Sequence, residues 1–395
     1  MAWPNFSRKP QSGPIRTGEP TGLDLTASSA RAVAGRLPQL RPLLLDDSHD
    51  DLPLAINLER RVPEVGRSAL ALSRKMPHFC CQGFLGQLGD PTEWRAGKVR
   101  FDALGALQLV FEKLQPHLEV ATQLAIALPV YLTNVQVEML TTVATRAKLS
   151  INGTITWPLA LLASAPTVQA ESPLLSSRHA RVEMTAERGM MPGRMLLVDV
   201  DDCAMSFVLL QVERDEATLL GHLHLPALSK RVWIDRMLNS LADRCIRVCR
   251  RDPREDANAE QLLVDQFDEK LDQVRQGNRV CLTVRSERWY QDLIYQPEEM
   301  DGTCPGLQTH AVDSVRDLLQ SSSGRGAVHS IWMTHAAGRL PGLATALLHR
   351  LAPEAECRWM PAHAVARSTC LLLEAWRSGQ LPRTHVDRTI RLIGS

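Results

Sequence analysis

Aromatic side chains are scarce in this chain of 395 residues. They make up 5% of it, and only three are Tyr. That scarcity speaks against a surface on which successive bases stack. An excess of charge of one sign is lacking too. The formal net charge is +1, so no global field steers the protein toward nucleic acid or an anionic membrane. No apolar run approaches the ~20 residues that span a bilayer. The N-terminal Met-Ala-Trp-Pro-Asn-Phe-Ser-Arg-Lys-Pro has no apolar signal core. The expectation is a cytoplasmic protein with neither nucleic acid nor membrane as partner. The nine Cys are scattered and odd in number, which excludes a regular disulfide framework. Cys245 and Cys249 lie one helical turn apart, but no nearby CxxC or His completes a metal site, so they read as small buried side chains. Walker A, Rossmann, HExxH and GxSxG patterns are also missing. His222 and His224 share one face of a strand and read as a half-buried surface, not as metal ligands.

What is there is an ordinary globular balance, 44% apolar and 23% charged. The length suits two or three domains or one two-lobed unit. Residues 1–20 read as a disordered tail and Ser172–Arg188 as a linker. A strand and turn open near Thr21, and residues 52–58 read as another strand. Helical spacing begins near Leu104, Thr122–Leu128 is a buried strand, and Asn134 caps a helix to about Lys148. Ile151 begins a strand and Trp157-Pro158 a helix. Three consecutive strands follow within Met195–Gln211 and Thr218–His224. Helices are expected over Lys230–Arg250 and Ala259–Gln276, with strands over Asn278–Arg285 and Asp292–Gln296. A helix over Gln308–Gln320, a flexible loop at Ser321–Gly326 and a strand over Val328–Thr334 come next. Helices over Pro341–Leu351 and His363–Gly379 close the series. Strands followed by strand–helix alternation occur twice, which predicts two similar α/β lobes facing each other across a cleft.

The most informative stretch runs from Met195 to Gln211. One apolar run ends in Asp199, Asp201 and Asp202, and a second begins at once, so a strand, an acidic turn and a returning strand are expected. Three acids in four residues repel one another. They must be solvated, given a cation or partly protonated. Asp199-x-Asp201-Asp202 resembles the DxD of metal-dependent glycosyltransferases, where hard oxygens hold a divalent cation against a diphosphate. It also resembles the Asp-x-Asp of phosphotransferases, except that Cys203 stands where those want Thr or Val two residues after the second Asp.

Taken together, several segments resemble the nucleotide-binding domain of DnaK-type heat-shock chaperones, within the actin-like ATPase fold. Gly22-Leu-Asp24-Leu-Thr26-Ala27-Ser28-Ser is similar to the family's first phosphate loop, Gly-Ile-Asp-Leu-Gly-Thr-Thr. Leu128-Pro-Val-Tyr131, with Gln136 beyond it, is similar to Val-Pro-Ala-Tyr-Phe-x-x-x-Gln. Ile155-Thr-Trp157-Pro158-Leu-Ala resembles Ile-Asn-Glu-Pro-Thr-Ala. Leu197-Val-Asp199-Val-Asp201-Asp202-Cys203-Ala204 falls on the second phosphate loop, Phe-Asp-Leu-Gly-Gly-Gly-Thr. Ile331-Trp-Met-Thr-His335-Ala336-Ala-Gly338-Arg339-Leu-Pro341 falls on the adenosine loop, and Pro361-Ala-His-Ala-Val-Ala-Arg on Pro-Asp-Glu-Ala-Val-Ala-Tyr. These segments occur in family order over residues 20–380.

The resemblance implies an α/β, two-lobed actin-like ATPase fold with duplicated ribonuclease-H-like subdomains and a cleft between the lobes. Lobe I would cover 21–190, with a smaller subdomain inserted at about 52–115. Lobe II would cover 193–385, with an insertion at about 230–304, and 386–395 would be a C-terminal tail. The family's substrate-binding β-sandwich and helical lid are not expected. The nucleotide-cleft positions would be Asp24, Thr26, Ala27, Asp199, Asp201, Asp202, Cys203, His335, Ala336 and Arg339, with Asp24 and Asp199 facing the metal. Departures from the family are concentrated there. Thr26, and then Asp201, Asp202 and Cys203, replace glycines that let backbone N–H groups approach phosphate. His335 and Ala336 replace the glycine pair of the adenosine loop. Gln82 stands at the family's catalytic Lys, Trp157 at its Glu and Ala204 at its Thr. The resemblance therefore implies a chaperone-like, DnaK-like pseudo-ATPase that does not hydrolyse ATP. It would take no cofactor and act as a binding or regulatory module through protein partners. The alternatives are a cleft that retains ATP or ADP with Mg, with weak ATP hydrolysis, and a DxD glycosyltransferase.

Overall fold

The computed structural model describes residues 18–118, 121–163, 192–322 and 326–392. The linker expected at Ser172–Arg188 lies outside these residues. So does most of the expected N-terminal tail, except that a strand already begins at Glu19.

The fold is mixed α/β, built around two six-stranded mixed sheets. In the N-terminal sheet, Glu19–Leu25 pairs antiparallel with Ser29–Ala34 and parallel with Ala121–Leu128. Ala121–Leu128 pairs parallel with Ile151–Thr156, and Ser29–Ala34 pairs antiparallel with Arg41–Pro42 and Asp51–Pro53. In the C-terminal sheet, Gly193–Val200 pairs antiparallel with Met205–Val212 and parallel with Val328–Met333. Val328–Met333 pairs parallel with Glu356–Trp359, and Met205–Val212 pairs antiparallel with Glu216–Leu225. The two sheets therefore share one strand order and one set of strand senses. The apolar runs explain the central strands. From Arg194 to Val200 every residue is buried, as a strand covered on both faces must be.

Helices cover both faces of each sheet. Ala103–Leu118 and Asn134–Arg146 pack on the outer side of the N-terminal sheet with Leu23, Leu25 and Ile126. Lys230–Cys249, Ala257–Arg275, Pro305–Ser321 and Leu343–Leu351 form the outer core of the C-terminal sheet. A third core lies between the sheets. It joins Ala125, Ala127 and Ile155 of one to Met195, Leu197 and Leu210 of the other through the helices Trp157–Ala163 and Ala364–Leu371.

Ala364–Leu371 follows the strand Glu356–Trp359 of the C-terminal sheet, yet it packs on Glu19–Leu25 of the N-terminal one. The approach is so close that a Cβ on Gly22 would lie 2.3 Å from the Ala366 carbonyl oxygen and from the Cys370 amide nitrogen. Only glycine fits there. Of the expected tail 386–395, residues 386–391 stitch the sheets together. Val386 exchanges backbone hydrogen bonds with Thr154 and Thr156, and Thr389–Arg391 adds a strand beside Glu216–Leu225.

Local differences from expectation have simple causes. The helix after Val130 is capped by Thr133, one residue before Asn134. The Thr133 hydroxyl accepts from the Gln136 N–H at 3.3 Å, and the Gln136 side-chain oxygen accepts from the Thr133 N–H at 3.0 Å. The strand expected over 52–58 is two, Asp51–Pro53 and Ala55–Asn57, which belong to different sheets. The helix expected over His363–Gly379 is divided at Leu372. Of the loop expected at Ser321–Gly326, Ser321 ends a helix and 323–325 lie outside the described residues. Among the described residues no helix is long and apolar enough to cross a membrane.

Candidate functional site

Two turns occupy equivalent places in the two sheets. Thr26–Ser29 links the first two strands of one, and Asp201–Ala204 links the first two strands of the other. Each is closed by the same backbone bond, Thr26 N–H to the Ser29 carbonyl and Asp201 N–H to the Ala204 carbonyl, both at 3.0 Å. The Thr26 hydroxyl stays within its own turn. It donates to the Ser29 carbonyl at 3.0 Å and accepts from the Ser28 and Ser29 amides.

Beside these turns lies a cavity of about 120 Å³. Of the residues expected in the cleft, Asp24, Thr26, Trp157, Asp199, His335, Ala336 and Arg339 line it. Asp24 and Asp199 stand at the ends of corresponding strands. Burial, with the Asp199 carboxylate adding to it, pushes Asp24 up to about 7. Burial also raises Asp199, opposed by the Thr334 hydroxyl, which donates to it at 2.5 Å. Trp157 brings a large, nearly fully buried indole to the cavity. Gln82 and Ala204 do not line the cavity.

Ala27, Asp201, Cys203 and Ala204 form a separate contact between the turns. Asp201, 2% exposed, turns inward. One oxygen accepts from the Ala27 N–H at 3.0 Å and the Tyr131 hydroxyl at 2.5 Å. The other accepts from the Cys203 N–H at 2.9 Å and the Ala204 N–H at 3.0 Å. Burial pushes Asp201 up to about 6 against these donors. Asp202 is half-buried. Burial raises it too, with the Lys230 ammonium opposing. The Cys203 thiol, pushed up to about 12 by burial, donates to the Gly83 carbonyl at 3.3 Å. A Cβ on Gly86 would meet that sulfur at 2.9 Å, so the second turn is wedged against the Gly83–Gly86 loop.

At the opposite wall, Arg339 is spent on the helix Ala257–Arg275. Its guanidinium forks onto Asp272 at 2.8 and 2.5 Å and reaches Asp268 at 3.4 Å. His335 lies 3.6 Å from Asp272 and is driven down to about 3 by burial and then by Arg339, so it is neutral. Lys230 holds Asp268 down at about 2. The same helix grips the segment around Leu70. The buried Gln261 amide donates to the Leu70 carbonyl at 3.0 Å and accepts from the Arg74 N–H at 2.8 Å. The Arg74 side chain reaches Asp235 at 2.6 Å.

Sequence reasoning missed Arg31, Asp51, Lys230, Asp268 and Thr334, which line the cavity, and Asp272 and Gln261 beside it. Most are charged or polar positions on amphipathic elements and carry no local signature. Tyr131 stood in a segment already singled out, but its hydroxyl's partner is 70 residues away. Among the described residues, no group of three or more His, Cys, Asp or Glu is placed to hold a metal ion. Compared with known proteins, the chain matches no family model, and no curated protein sequence matches it.

Proposed function

We propose that the chain is a degenerate chaperone-type ATPase domain, a two-lobed actin-like fold that binds or regulates protein partners without hydrolysing ATP. The observation that carries the reading is the repeated strand order of the two sheets, with equivalent turns meeting beside one cavity. The repeat and the inter-sheet helices are what duplicated ribonuclease-H-like lobes would have. The insertions expected at about 52–115 and 230–304 have room in this arrangement, although Asp51–Pro53 still belongs to the N-terminal sheet. Residues 55–118 fall between strands of the N-terminal sheet and 230–321 between strands of the C-terminal one.

Loss of hydrolysis is supported by chemistry. Gln82, Trp157 and Ala204 offer neither a base nor a cation to an attacking water. A cavity of about 120 Å³ is small beside the roughly 300–1,000 Å³ of sites for drug-sized ligands. Arg339, expected at the nucleoside, is ion-paired to Asp272. Asp201 gives both oxygens to the chain itself, which also leaves little support for a DxD site presenting them to a diphosphate. The near-neutral charge and scarce aromatics speak against a nucleic-acid partner, in keeping with protein partners. Calorimetric titration with ATP and Mg²⁺, with phosphate release followed in parallel, tests the reading. No turnover and no binding tighter than about millimolar is expected, and steady hydrolysis overturns it.

A second reading, retained nucleotide or Mg²⁺ binding, draws on Asp24, Asp199, Arg31 and Lys230 lining the same cavity. A thermal-shift screen separates the two, because only retained binding gives a nucleotide-dependent rise that Asp199→Ala abolishes.

A further inference from the structure

We propose that the meeting of the two turns is an oxyanion site whose resident ligand is the chain's own Asp201 carboxylate. Three backbone N–H groups, those of Ala27, Cys203 and Ala204, converge on it together with the Tyr131 hydroxyl, all within 3.0 Å. Backbone N–H groups gathered in a turn make a concavity that takes anions, and charge-assisted bonds to it are the strong kind. This one is composite. Ala27 comes from the N-terminal sheet's turn, Tyr131 from the segment after Ala121–Leu128, and Cys203 and Ala204 from the C-terminal sheet's turn. The carboxylate thus ties two separate parts of the fold together as a free phosphate or carboxylate would. The main chain of Asp201 is anchored as well. Its carbonyl accepts from the Lys230 N–H at 2.8 Å, at the start of the helix Lys230–Cys249. Asp202, one residue on, makes none of the bonds to Ala27 or Tyr131 and serves as an internal control. The inference stands on this geometry and not on the family reading. It assigns an anion site occupied by the chain's own carboxylate to a place where the sequence suggested repulsion among acids, a cation site or a degraded phosphate loop.

Removing the side chain should leave the donors and open the site to a free anion. Asp201→Ala is to be compared with wild type and Asp202→Ala in thermal denaturation, with acetate, inorganic phosphate or chloride added at matched ionic strength. Asp201→Ala should melt lower than wild type. Acetate or phosphate should restore part of the loss in a saturable way, while wild type and Asp202→Ala gain no more than they do with chloride. If Asp201→Ala does not fold in chloride, circular dichroism reads the folded fraction that acetate or phosphate recovers. Amide hydrogen exchange at Ala27, Cys203 and Ala204 gives an independent readout: protected in wild type, unprotected in Asp201→Ala, and protected again with the anion. An Asp201→Ala protein that gains nothing from either anion, or gains no more than Asp202→Ala, overturns the proposal. Acetate and phosphate acting alike point to a general oxyanion site, and acetate acting alone to a carboxylate site. ATP turnover by wild type would sink the pseudo-ATPase reading and leave this result untouched.

Discussion

At the residue scale, the acids of the turns are governed by burial more than by their partners. Asp24 is the clearest case, raised to about 7 from an ordinary 3.8. A carboxyl whose folded pKa lies above its unfolded value binds its proton more tightly in the folded state. Its contribution to stability is fully present below the unfolded value and is lost as pH rises through the folded one. Stability from Asp24 should therefore drain away between about pH 4 and pH 7. Asp24→Asn keeps the shape and stays neutral, so it escapes that loss. Urea denaturation of both proteins at about pH 5 and about pH 8 should show the variant gaining on wild type by on the order of a few kcal/mol. A constant difference across that range would mean that Asp24 is already ionised and solvated in the fold.

At the scale of elements, the helix Ala257–Arg275 holds the cavity from two sides. Asp272 and Asp268 take up Arg339, and Gln261 seals the segment around Leu70 and Arg74. Two of the Gln261 bonds are made to main-chain groups, the Leu70 carbonyl and the Arg74 N–H, which lose that partner once the amide is gone. Gln261→Ala should cost about 1–3 kcal/mol, the usual penalty of leaving buried polar groups unpaired. Urea denaturation measures the cost, and faster hydrogen exchange at the Arg74 amide locates it. An unchanged exchange rate would show that water or another group replaces the amide. Such a grip is invisible in sequence. Gln261 sits among Ala259, Leu263 and Phe267 on the buried face of an amphipathic helix, where the spacing tells only that something is buried.

For the whole molecule, the third core is decisive, because its helices and the Val386 bridge belong to both sheets at once. A chain truncated before Ala364 loses the helix that presses on Gly22 and the stitching strand beyond it. It should lose near-ultraviolet circular dichroism and protease resistance in residues 18–163 as well as at the cut. A protected N-terminal fragment would show that its sheet is self-sufficient. This scale also separates what could be read in the sequence from what could not. The long apolar strands, the amphipathic helices and the turn at Asp199–Asp202 were legible, because burial on both faces or on one stripe leaves a periodic trace. The hairpin Glu93–Ala96 with Val99–Asp102 and the strand Glu356–Trp359 were not, being four residues each with charged groups interspersed. The inward turn of Asp201 was hidden for another reason. Its meaning depends on Ala27 and Tyr131, 174 and 70 positions away, and an acidic run shows its own charge but not its donors.

The contact between Gly22 and Ala364–Leu371 carries a consequence for biosynthesis. The first strand leaves the ribosome long before the helix that covers it is made. At about 5–20 residues per second, the wait is roughly 20 to 70 s. For most of that interval the inner face of the N-terminal sheet, with Ala125 and Ala127 on it, is covered only in part, by the helix Trp157–Ala163. A nascent chain of this design carries a partly open apolar face for most of its synthesis, and that face closes only when its last helices arrive.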